Sequence, residues 1–182
     1  MNVLLRMAEW RLPAFLKKKE LEKLIRLTAS PFGIEAFPLD GLSYDECLAE
    51  YARFTRAAVD RCIVQGGNLR DIQDRLFHEA FTYGTRWRKR FGVSDGGDIM
   101  RAGRILYRAI GIDFHGTDRG FVEIGQCFFS RYYSPATCQA ISSLDAGIMA
   151  GLSGGGTFAF SQRITEGFAT CKALLTTKET DA

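Results

Sequence analysis

The apolar residues change their spacing near Gly111, and that change limits the fold more than any other feature of the chain. Before it, apolar side chains recur every three or four positions, the repeat of helices with one buried face. After it, Ile112-Asp-Phe-His115 and Gly120 to Phe129 alternate in twos, the repeat of a strand. Helical spacing returns at Ser134-Pro135, and alternation resumes from Thr157 to about Leu175. These periods predict an α+β fold: a helical N-terminal part of about 110 residues followed by a small antiparallel sheet of about three strands. A helix is inserted before the last strand, and helices cover one face of the sheet. No linker or internal repeat interrupts residues 1–182, so the chain reads as a single domain, long enough to bury a core without covalent staples.

Punctuation supports the helical part. Residues 1–29 read as helix with a break, Pro13 opening the second piece, and Ser30-Pro31-Phe32-Gly33 is expected to stop it, because the residue before proline avoids helical geometry. Ser43-Tyr-Asp-Glu46 is a capping box opening a helix to about Val64. Its stripe of Cys47, Leu48, Tyr51, Phe54, Ala58 and Cys62 makes the first two cysteines core thiols. Asn68 caps a helix to about Phe91, with Arg86, Arg88, Lys89 and Arg90 in its last turn and Gly92 as its stop. Gly84 inside that helix costs roughly 1 kcal/mol against alanine, which a close approach by another element would explain. A shorter helix spans about Gly97 to Ile110. The helix after Ser134-Pro135 is rich in Ala, Gly and Ser, residues that also permit close approach.

Some function classes are excluded early. The net charge of +3, from 24 basic and 21 acidic residues, comes with no basic face or recognition motif, so nucleic acid is not an expected partner. Lys17-Lys18-Lys19 runs straight into Glu20 and Glu22 and reads as a solvated helix face. No stretch approaches the ~20 apolar residues of a spanning helix. The start carries Arg6 and Glu9 and lacks a long apolar core, so it does not read as a secretory signal. The chain reads as cytoplasmic, with reduced thiols. The amphipathic segment before residue 30 is a candidate docking arm for a partner subunit, such as a second copy of the chain, or for a membrane surface, besides the plainer reading of a helix packed on the core. Ser153-Gly154-Gly155-Gly156 is a turn and not a phosphate loop, since no Lys-Ser/Thr follows it.

Chemistry concentrates between Cys127 and Cys171, which holds three of the five cysteines. Cys138, Ser142 and Asp145 stand four and three residues apart, so they share one helical face. Cys138 lies in the first turns of its helix, where the dipole would lower a thiol from its usual pKa of ~8.5. Cys127 and Cys171 sit on strands that an antiparallel sheet could bring beside this face. Three readings of the cluster are open. The cysteines pack as small core residues. Or Cys127, Cys138 and Cys171, with a carboxylate or a histidine, hold a metal ion, although no close Cys-x-x-Cys pair supports it. Or Cys138 is a nucleophile, Asp145 or Glu166 moves protons, and Arg163 and Ser142 bind a small-molecule substrate, the arginine through its bidentate fork.

The pattern Cys127…Cys138…Asp145, a loop, then Arg163-Ile-Thr-Glu-Gly167-Phe-Ala-Thr-Cys171 resembles the C-terminal signature of the L-2-amino-thiazoline-4-carboxylic acid hydrolase family. There a Cys and an Asp on a helix precede a strand carrying an Arg, then a Gly, then a Cys four residues on. Lys172-Ala173 follow Cys171 where family members often carry Asp-Phe. The resemblance covers about a quarter of the chain and implies opening of a cyclic amidine ring by water, a C–N hydrolysis. Water or Cys138 would attack the C=N carbon, Asp145 would act as base, and Arg163 would hold a carboxylate. A second likeness, to sensing domains of the 4-vinyl-reductase type, implies a non-catalytic module that binds a small molecule, a tetrapyrrole or a metal.

Overall fold

The computed structural model describes Leu5 and residues 13–177. The helical piece expected before Pro13 lies outside the described residues, as does all but the start of the frayed tail expected from Thr176 to Ala182; Thr176 itself ends the last strand. Five α-helices and a four-stranded sheet follow in the order α1 (Ala14–Phe32), α2 (Tyr44–Val64), α3 (Leu69–Phe91), α4 (Gly96–Arg108), β1 (Ile112–Gly116), β2 (Phe121–Cys127), α5 (Pro135–Ser153), β3 (Thr157–Gln162) and β4 (Cys171–Thr176). The fold is α+β. Among the described residues no helix is long and apolar enough to cross a membrane.

Local capping sets most helix ends. The Ser43 hydroxyl accepts from the Glu46 amide while the Glu46 carboxylate accepts from the Ser43 amide, so α2 starts where the box requires. Asn68 and Ser134 accept from the amides three residues on, and Pro135 occupies the first turn of α5. The expected stop at Ser30-Pro31 is overturned: α1 runs through Pro31 to Phe32. Pro31 falls in the last turn, and left-handed Gly33 closes the helix by donating its amide to the Ala29 and Ser30 carbonyls. In α2 the buried stripe passes through Thr55 and Val59, leaving Phe54 and Cys62 half-buried at its edge.

The single long strand expected from Thr157 to about Leu175 is also overturned. It is two strands, β3 and β4, joined by a short 3-10 turn at Ile164–Glu166 and by Gly167, whose φ of 95° most side chains avoid. The sheet therefore has four strands and not about three, all antiparallel, in the order β1-β2-β4-β3. The helix expected before the last strand precedes the last two. One face of the sheet, with Phe114, Val122, Ile124, Phe158, Cys171, Ala173 and Leu175, is buried under the helices. The opposite face exposes Phe121 and Leu174.

One hydrophobic cluster runs from Leu5 to Leu175. Its densest seam joins α3 to α5, where glycines let backbone meet backbone. A Cβ on Gly84 would run into the Ile148 carbonyl, and one on Gly147 or Gly151 into the Phe77 or Phe81 carbonyl. That contact accounts for a glycine inside α3 and for the small residues of α5. It also fixes the rotation of α5, and so which of its side chains turn away from α3.

Candidate functional site

The face of α5 that looks away from α3 carries Cys138, Ser142 and Asp145, and all three line one cavity of about 80 Å3. The helical spacing is therefore realised as a single row. The opposite wall comes from Tyr51 of α2, Tyr107 of α4 and the aromatic segment that follows β2. Arg163, Thr165 and Cys171 complete it from the β3–β4 turn and the start of β4. Apart from these groups the lining is aliphatic and aromatic.

Cys127 reaches the cavity because β2 is bulged. Ile112 and Phe114 of β1 face Cys127 and Ile124, so two residues of one strand span three of the other. The extra residue at Gly125-Gln126 turns Cys127 to the same side as Ile124, against the alternation expected from the sequence. Just beyond it, a 3-10 turn at Phe128–Arg131 directs Phe129 inward.

Asp145 is the chemical centre. Its Oδ1 accepts a 2.8 Å hydrogen bond from the Tyr107 hydroxyl, and its Oδ2 makes no hydrogen bond among the described residues. The carboxylate keeps some accessible surface because it faces the cavity, not because it faces bulk water. Burial raises its pKa from 3.8 to about 6, against the opposing pull of the Tyr107 hydrogen bond and the Arg163 charge. Near neutral pH it is ionised yet basic enough to take a proton. Tyr107 is pushed well above its ordinary value by burial and by the Asp145 charge, so it stays a donor.

Arg163 is braced on several sides. Its Nε donates to Ser142 Oγ at 3.4 Å, its Nη1 to Glu166 Oε1 at 3.2 Å, and its guanidinium lies 5.0 Å from the centre of the Phe160 ring. Glu166 also accepts the Arg163 backbone amide at 3.1 Å. Glu166, named from the sequence as a proton carrier, is exposed and absent from the cavity wall. Its place is corrected: it positions Arg163. Ser142 donates to the Cys138 carbonyl at 2.7 Å and uses its lone pairs to steady the arginine.

The thiols depart from expectation. Burial raises the Cys138 pKa, and the Asp145 charge raises it further, overcoming Arg163. The helix start gives no relief, because the Cys138 amide is spent on the Ser134 carbonyl and the Thr137 amide on the Ser134 hydroxyl. Burial pushes Cys127 up to about 12 and raises Cys171, whose sulfur accepts the Ile164 amide at 3.3 Å. All three are thiols at neutral pH. All five cysteines are free. Among the described residues no group of three or more His, Cys, Asp and Glu is arranged to hold a metal ion. The ligand set expected from Cys127, Cys138 and Cys171 is thus not formed, and protonated thiols in an apolar wall are poor ligands. His115 pairs with Asp113 at 3.0 Å, and neither histidine lines the cavity.

No protein-family model, curated protein or solved structure matches this chain. The site is therefore read from its own groups.

Three tyrosines belong to it that sequence reasoning did not single out. Tyr51 pairs its hydroxyl with Thr28 at 2.8 Å, and Tyr133 pairs with Thr55 at 2.5 Å, each at the cavity wall. Tyr107 could have been found: it lies on the apolar stripe of α4 four residues after Gly103, and a buried tyrosine hydroxyl needs a partner. Thr165 is the remaining polar group. Its Oγ1 is buried without a hydrogen-bond partner; a looser approach to the Cys138 thiol offsets part of that thiol's shift.

Proposed function

We propose that this protein hydrolyses a compact, carboxylate-bearing molecule with a polarised C=N carbon, in the manner of the cyclic amidine opening implied by the thiazoline-carboxylate hydrolase resemblance. The observation that carries the reading is that Asp145 and Arg163 face one small, mostly apolar cavity, the carboxylate with one oxygen held by Tyr107 and the other open. A cavity of about 80 Å3 has room for several non-hydrogen atoms, given roughly 10–15 Å3 for a water by the same kind of measure.

In this reading Arg163 binds the substrate carboxylate, and water is the nucleophile. Asp145 Oδ2 takes a proton from the water as its oxygen bonds to the C=N carbon. The protonated Asp145 returns that proton to the former C=N nitrogen, then takes the proton of the new hydroxyl and delivers it to the same nitrogen as the C–N bond breaks and the C=O bond forms. Water is preferred to Cys138 because that thiol is raised by burial and by the Asp145 charge. Tyr107 remains protonated and keeps Asp145 aimed at the cavity.

The test is turnover of a thiazoline-type cyclic amidine carboxylate. Asp145→Asn is expected to lower kcat at least ~100-fold, the scale of a general base. Arg163→Gln is expected to raise KM about 10- to 100-fold, with little effect on an analogue lacking the carboxylate. Wild-type turnover by Asp145→Asn sinks the assignment. The second reading, a non-catalytic small-molecule binder, draws support from the three protonated thiols and the apolar wall. It predicts stoichiometric binding of the same compound with no product. The cavity size favours a compact ligand in either case and not a tetrapyrrole.

A further inference from the structure

Six hydroxyls line the cavity, those of Tyr51, Tyr107, Ser130, Tyr133, Ser142 and Thr165. Five are engaged inside the protein. Tyr51 pairs with Thr28, Tyr133 pairs with Thr55, and Tyr107 donates to Asp145. Ser130 and Ser142 donate to the Cys127 and Cys138 carbonyls, both at 2.7 Å. Thr165 is the exception: its Oγ1 is shut off from solvent and makes no hydrogen bond among the described residues. The Cys138 thiol nearby is a weak acceptor and lies too loosely for a hydrogen bond. A buried hydroxyl left in that state is costly to the fold, so it calls for a reason. Its aim is fixed by a clamped turn. Gln162 Nε2 donates to the Thr170 carbonyl at 3.0 Å, the Ile164 amide to Cys171 Sγ at 3.3 Å, and the Gly167 amide to the Ile164 carbonyl at 3.0 Å. Arg163, two residues before Thr165 on the same turn, keeps its Nη2 without a hydrogen bond among the described residues. The turn thus brings a charged donor and a neutral hydroxyl to one cavity.

We propose that Thr165 is a specificity residue: it donates a hydrogen bond to an acceptor heteroatom of the ligand that stands beside the carboxylate held by Arg163. The ligand class is then narrower than a small carboxylate. It is one with a ring oxygen or nitrogen close to the carboxyl group. The inference rests on the reading in which Arg163 binds a carboxylate. A cavity of about 80 Å3 keeps every atom of such a ligand near Arg163, and Thr165 shares that wall. The other hydroxyls are engaged, and ionised Asp145 only accepts, so Thr165 is the neutral donor left for an acceptor atom. Without it, that atom would leave water for an apolar wall with nothing in return. A ligand lacking the heteroatom leaves the hydroxyl buried and unpaired, and a site of this kind discriminates against it. Thr165 forms and breaks no covalent bond.

The experiment compares two rings of one shape and charge, tetrahydrofuran-2-carboxylate and cyclopentanecarboxylate, by calorimetric titration of the full chain. The first has a ring oxygen where the second has a methylene. Wild type is expected to bind the first about 5- to 10-fold more tightly. Thr165→Val is expected to erase that preference while keeping the affinity for cyclopentanecarboxylate, and Thr165→Ser to restore it. Denaturant unfolding supplies the readout that a structural hydroxyl would move the other way. Thr165→Val removes an unpaired buried group, so its midpoint should equal or exceed that of wild type. A lower midpoint overturns the assignment, because it makes the hydroxyl a paired part of the fold. Equal affinities in wild type, no binding of either acid, or a preference that survives in Thr165→Val overturns it too. The two proposals fail separately. A preference that depends on Thr165, with no turnover of a cyclic amidine carboxylate, removes only the hydrolase reading; turnover without the preference removes only the role of Thr165.

Discussion

The two faces of α5 are built from the same kinds of small residue and do opposite things. Toward α3, Gly147 and Gly151 meet backbone carbonyls with no space for a methyl group. Toward the sheet, Cys138, Ser142 and Asp145 border an open cavity. Small side chains on the first face fix the helix by contact. On the second they leave room for a ligand. The first face is the reason the second is in place, since the glycine seam sets the rotation that aims Asp145 at Tyr107.

The strongest way to break that division is to add one methyl group to the tight face. Elsewhere in a helix Gly→Ala gains about 1 kcal/mol. At Gly151 the new Cβ meets the Phe81 carbonyl and the Thr85 amide, which cannot move without displacing α3. Gly151→Ala is expected to reverse the sign and cost about 3 kcal/mol, the upper part of the overpacking range. The midpoint of denaturant unfolding reads it. A stability equal to or above wild type would mean that the seam is looser than the structure has it.

Asp145 gives the next effect, and its sign follows from burial. The folded protein holds the Asp145 proton with a pKa of about 6 against an ordinary 3.8, so the folded state binds that proton more tightly than the unfolded chain. Its contribution is fully present below about pH 4 and is lost as pH rises through about 6. At about 1.4 kcal/mol per pH unit the swing approaches 3 kcal/mol. Asp145→Asn lacks this titration, so its stability relative to wild type should rise by about 2–3 kcal/mol from pH 4 to pH 8. Parallel stability curves over that interval would contradict the raised pKa. Tyr107→Phe removes the hydrogen bond to Asp145 Oδ1 and should cost about 1–2 kcal/mol. Because that hydrogen bond lowers the Asp145 pKa, the carboxyl band should titrate higher still in the variant, which infrared titration checks.

The same contrast explains what could be read from the chain beforehand. Ser43, Asn68, Ser134 and Gly92 end helices through bonds to residues three or four positions away, so a local pattern determines them. Gly84 and the small residues of α5 announced a close contact, although not its partner. The shared row of Cys138, Ser142 and Asp145 needed only helical spacing. The failures are those where distant structure decides. A 3-10 turn and left-handed Gly167 split the segment from Thr157 to Leu175, which alternation alone made continuous. A bulge against β1 redirects Cys127. The helix start suggested an acidic Cys138, but burial by the sheet raises it. Glu166 carries charge at the right place in the sequence, yet it stands outside the cavity wall and bonds Arg163.

The smallest expected effect tests the open face with the mildest change. Ser142→Ala removes a hydroxyl that bonds the Cys138 carbonyl within its own helix and receives a long 3.4 Å contact from Arg163. The carbonyl keeps its helical role, and Arg163 keeps Glu166 and Phe160. Alanine is also the better helix former, which offsets part of the loss. Stability should change by no more than about 0.5–1 kcal/mol. If Arg163 is a ligand group, its looser hold should appear as a few-fold rise in KM for a carboxylate substrate with kcat unchanged. The comparison with Gly151→Ala is then direct. Both variants place alanine on α5 at sites differing by a single small group. A cost of about 3 kcal/mol at one and under 1 kcal/mol at the other would separate the packing face from the cavity face. Equal costs would mean that the cavity closes in solution and that Ser142 is core.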